Sequence, residues 1–124
     1  MPLTKGLRDE ENERINNILE RLIGLDYVPE NGNSELNELL KGLALDAEML
    51  LNFSDEAIIV HLEKLHFDFA NAEQFADFLI NLSGKIPENK HVLSEKALAV
   101  YNYIQSESKA FSFAIFNKTA AIKR

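Results

Sequence analysis

At 124 residues, 46% apolar and 27% charged, the chain is one domain able to bury about two-thirds of its unfolded surface unaided. With no cysteine it has no disulfide framework, thiol catalysis or cysteine-ligated metal. Its net charge of −7 is polarised, 17 acids against 6 bases in residues 1–84 and 3 against 7 in 85–124, a balance that disfavours nucleic acid because phosphates require clustered Lys and Arg.

Residues 1–8 have no apolar period and are expected to fray. From Asp9 the pattern turns helical. Ile15, Ile18, Leu19 and Leu22 form one stripe, and Asp9, Glu10, Glu11 and Glu13 sit near the positive end of the helix dipole. Gly24 weakens the end, and Pro29 to Asn33 is a strong turn signal. Asn33 or Ser34 caps a second helix with Leu36, Leu39, Leu40 and Leu43 on one face; Gly42 loosens it. Asp46 caps a short turn through Met49, Leu50 and Leu51. Ser54 caps the next helix, with Ile58, Leu62 and Leu65 facing inward. Phe67 and Phe69 anchor the following link.

The stretch 71–122 is the apolar helical core of the expected fold. Phe75, Phe78, Leu79 and Leu82 share a face of a helix that should start at a cap on Asn71 and end at Ser83-Gly84, with Pro87 blocking continuation. Leu93, Ala97, Val100, Tyr101 and Ile104 give the next helix, and Ser106-Glu107-Ser108 the break after it. The last helix, from about Lys109 to Ile122, crowds Phe111, Phe113, Ala114, Ile115 and Phe116 into six positions. Such crowding predicts burial on more than one side, as ordinary core or partly against another chain. The expected fold is all-α, a single domain over 1–124 built as a five- to six-helix bundle or helix-hairpin stack.

Chemistry-bearing motifs are sparse. His61 and His66 are five apart, about 140° around a helix, and cannot share a metal as a four-residue pair does. The pairs Glu35/Glu38 and Glu73/Asp77 read as solvated charges, because an acid–base pair needs burial to separate its pKa values. Lys85, Lys90, Lys96, Lys109, Lys118, Lys123 and Arg124 read as spaced along solvated faces. No nucleotide loop or serine elbow occurs. Met1 to Leu7 lacks a signal-peptide core and no run approaches the roughly 18 apolar residues of a membrane span, so the expected setting is cytoplasmic.

The hairpin from Leu93 to Ile122 resembles a degenerate tetratricopeptide helix pair. Tyr103 is the late aromatic of the first helix, Ser112 the small residue, and Phe116, Lys118 and Ile122 follow the usual Phe-x-Lys-x-x-x-Leu run. Lys96 and Val100 replace the usual Trp and Gly, Thr119 replaces Ala, and no closing Pro follows. The turn from Leu43 through Glu56, followed by this pair, is similar to small bacterial helical proteins of unknown function. The resemblance implies a module whose task is contact. The expected function is therefore a non-enzymatic interaction or scaffold module without cofactor or metal, binding a protein partner or a second copy as a homodimer, with Tyr103, Phe111, Phe113 and Phe116 at the interface. The competing expectation is a small helical enzyme or ligand-binding protein with a pocket between helices that uses His66, Asp68 and Tyr103.

Overall fold

The structure, a computed structural model, describes residues 3–25, 34–108 and 112–123. They form seven α-helices: α1 (Leu3–Ile23), α2 (Ser34–Lys41), α3 (Ala47–Asn52), α4 (Asp55–Lys64), α5 (Phe69–Lys85), α6 (Lys90–Ser108) and α7 (Phe113–Lys123). A single 3-10 turn, Pro87–Asn89, joins α5 to α6, and no strand occurs among the described residues. The all-α expectation holds, with seven helices in place of five or six.

The centre is the α5–α6 antiparallel pair. Ala72, Phe75, Ala76, Phe78, Leu79 and Leu82 of α5 are buried, as are Leu93, Ala97, Val100, Tyr101 and Ile104 of α6. Helix α1 lies against α5 through Ile15, Leu19 and Leu22, α2 lies against α1, and α4 and α7 flank α6. Lys85 Nζ donates to the Leu25 carbonyl at 2.6 Å, tying the end of α5 to the end of α1.

Caps explain the starts. Asp46 accepts from the Met49 amide at 2.8 Å and Ser54 from the Ala57 amide at 3.1 Å, both as expected. Helix α5 starts earlier than expected, because Asp68 accepts from the Asn71 amide at 2.7 Å. Asn71 is thereby carried into the first turn, buried, with its side-chain Nδ2 donating to Asn12 Oδ1 at 3.3 Å. The anticipated stop at Ser83-Gly84 fails too: Ser83 Oγ donates back to the Ile80 carbonyl, and the helix runs on to Lys85 before Pro87 redirects it. Ser106-Glu107-Ser108 is helical, since three polar residues on an exposed end remove no hydrogen bond. Leu3 to Arg8, expected to fray, belong to α1. Helix α7 begins at Phe113, while Lys109 to Phe111 and Pro29 to Asn33 lie outside the described residues.

Two helices end on non-glycine residues in the left-handed region, Ala44 at φ 56° and His66 at φ 59°. Each follows the Schellman pattern. After α2, Leu45 N bonds the Leu40 carbonyl and Ala44 N that of Lys41, both at 3.0 Å. After α4, Phe67 N bonds the Leu62 carbonyl and His66 N that of Glu63. Leu43 consequently lies beyond α2, although still buried. Gly42 ends α2 where α1 comes closest: a Cβ there would stand 2.6 Å from Ile18 Cδ1, and Arg14 donates to the Gly42 carbonyl at 2.8 Å.

Ala44→Gly should raise the unfolding free energy by about 1 kcal/mol, because it removes the left-handed penalty of a side chain. Gly42→Ala should lower it by about 1 kcal/mol through overpacking. Adding Ile18→Val, which deletes the clashing methyl, should recover most of that loss. Urea melts of the three variants check both effects.

Candidate functional site

The residues expected at an interface fall into two places. Tyr103 is half-buried where α4, α5 and α6 meet. Its ring tilts against Phe69, with centroids 6.4 Å apart, and its hydroxyl lies 3.5 Å from Glu63 Oε2. Burial first, then the charges of Glu63 and Glu107, raise its pKa. Phe113 and Phe116 ride on α7, three residues apart and so on one face; they are 74% and 51% exposed. Phe111 lies outside the described residues. Of the crowded apolar run only Ile115 is buried among the described residues, so α7 is not ordinary core within this chain, the first of the two expected alternatives. Ser112 fixes the start of α7, accepting from the Ile115 amide at 3.3 Å while its own amide donates to Gln105 at 3.3 Å.

His61, read as one of two separated imidazoles, is half-buried with Nε2 2.8 Å from the Leu43 carbonyl and its ring edge-on to Phe53. His66 occupies its left-handed helix end and is exposed. Asp68 is occupied as a cap. None of His66, Asp68 and Tyr103 lines the cleft described next. Lys96, read as solvated, is 6% exposed on α6 and buries its aliphatic stem.

The polar assembly that sequence reasoning missed joins α5, α6 and α7. Lys118 Nζ of α7 donates to Glu73 Oε2 at 2.6 Å and lies 3.0 and 3.2 Å from the two Asp77 oxygens. Tyr101 of α6 donates its hydroxyl to Asp77 Oδ1 at 2.5 Å, and Lys118 Nζ stands 5.8 Å from the centre of the Tyr101 ring. Glu73 and Asp77 are therefore paired rather than solvated. The signal was present: Lys118 is the single cation within Phe113 to Ile122, and Glu73 and Asp77 are four apart on one helical face. Beside the cluster runs an open cleft of about 560 Å³, lined by Asp77, Ile80, Tyr101, Lys118 and neighbours from α5, α6 and α7.

No family model, curated protein or solved structure matches the chain. Among the described residues no helix is long and apolar enough to cross a membrane, and no group of His, Asp and Glu is placed to hold a metal ion.

Burial above all, then the hydrogen bond to Asp77, drives the Tyr101 phenol far above its ordinary value. Burial alone would lower the Lys118 ammonium, but the hydrogen bonds and charges of Glu73 and Asp77 outweigh it and raise it. Both folded values exceed the unfolded ones, so the stabilisation is complete below about pH 10 and is lost at higher pH. Unfolding free energy should therefore fall as pH climbs past 10. Tyr101→Phe should flatten that fall, at a cost near neutrality of about 1.5 kcal/mol for the lost hydrogen bond to a charged group. Chemical denaturation between pH 7 and 11 reads both.

Proposed function

We propose that the protein is a cytoplasmic, non-enzymatic helical interaction module that presents the outer face of α7 to another chain, either a protein partner or a second copy. The observation that carries this reading is the exposure of two phenylalanines, Phe113 at 74% and Phe116 at 51%, one turn apart on a helix fixed to the core by other residues. Aromatic side chains dominate binding energy where they enter a partner's pocket. The α6–α7 pair is also the segment that resembles a tetratricopeptide hairpin, whose task in that family is contact.

The roles within α7 separate cleanly. Ile115 is buried and Ile122 packs against the core, while Lys118 ties the helix to α5. Phe113 and Phe116 turn much of their surface outward, so truncating both removes contact surface from that face.

Light scattering after gel filtration, over a wide concentration range, should show association in the parent chain that the double variant Phe113→Ala, Phe116→Ala lacks. The unfolding free energy of the variant should stay within about 0.5 kcal/mol of the parent. For a parent chain monomeric throughout, affinity capture with parent and variant side by side tests the partner arm. A variant that unfolds, or that keeps every interaction of the parent, overturns the reading.

A further inference from the structure

The cleft between α5, α6 and α7 carries a second polar set that the Lys118 cluster leaves unused. Asn81, Lys90 and Ser94 line it, and their side chains make no hydrogen bond or ion pair among the described residues. Lys90 and Ser94 are four apart on α6 and share a face, and Asn81 faces them from α5. Asn81 and Lys90 are exposed, so these groups stand at the rim. The apolar part of the wall is Ile80, Ala121 and Ile122. Asp77 is the single acid of the lining, and both of its oxygens are held by Tyr101 and Lys118.

This distribution selects a ligand chemistry. The unused groups are a cation, an amide and a hydroxyl, all able to donate; a cationic ligand finds no unpaired carboxylate in the lining. One unpaired lysine balances one negative charge, and the chain's net −7 disfavours a more highly charged anion. The volume of about 560 Å³ falls in the range, roughly 300–1,000 Å³, of pockets that take small organic molecules.

We propose that the cleft binds a small amphipathic monocarboxylate, with its carboxylate at the rim on Lys90, Ser94 and Asn81 and its hydrocarbon body against Ile80, Ala121 and Ile122. The site is separate from the Phe113–Phe116 face, so each stands or falls alone.

The test is an amide NMR titration of the full chain with sodium octanoate, set beside 1-octanol and octylamine as length-matched neutral and cationic probes. Octanoate should give saturable shifts centred on Ser83, Lys90, Ser94 and Ala121, and both other probes should bind at least tenfold more weakly. Lys90→Met should weaken octanoate about tenfold, as expected for loss of a charged hydrogen bond, and leave 1-octanol unchanged. Its thermal midpoint confirms that the variant is folded. Absent or non-saturating shifts, shifts centred on Phe113 and Phe116, equal affinity for octanoate and 1-octanol, or octanoate binding indifferent to Lys90→Met would each overturn the proposal.

Discussion

The contact between α5 and α6 is the constraint on which the other helices depend. Phe75, Phe78 and Tyr101 are at most 1% exposed, and burying a large apolar side chain contributes about 1.5–3 kcal/mol. A domain of this size has a net stability of only about 5–15 kcal/mol, so three such side chains carried by this helix pair weigh heavily. Ala72, Ala76 and Ala97, equally buried, keep the paired backbones close where a larger residue would part them. Helices α1 and α4 then close the two flanks, each too short of apolar surface to hold a fold without that pair. The Asn71–Asn12 hydrogen bond adds direction to the α1 flank, since apolar surfaces alone tolerate sliding.

Periodicity in the sequence predicted the burial well because burial follows from spacing. The stripes Ile15–Leu22, Leu36–Leu40 and Phe75–Leu82 lie inside, and the Asp46 and Ser54 caps form the bonds their side chains permit. Helix ends were less legible because several competing groups serve a terminus. Asp68 precedes Asn71 and takes the capping role, leaving Asn71 for α1. The positive φ of Ala44 and His66 carries no mark in residue type, since glycine is the usual occupant of such positions. Ser83-Gly84 resembles a stop, but the serine turns back on its own helix and a Cβ added at the glycine would meet nothing within 4 Å.

The candidate sites were legible only in part, for a related reason. Phe113 and Phe116 were expected at an interface and are exposed, whereas the same aromatic crowding also fitted ordinary core. Composition reports how apolar a helix is, not how much of it finds a partner. Glu73, Asp77, Tyr101 and Lys118 come from three helices, and no local pattern places four such residues together. The cleft belongs to the same class of feature, being a property of how far α7 lies over the α5–α6 pair.

Lys118 therefore does more than attach α7. A helix with apolar side chains around most of its circumference has little preference for which side faces inward or how far it slides. Moving α7 by one turn would set Ala114 or Ile122 opposite Glu73 and Asp77 and leave two carboxylates without their cation. The ion cluster acts as an index pin that fixes the azimuth and axial position of the helix. The outward bearing of Phe113 and Phe116 is thus set in part by a charge several residues away.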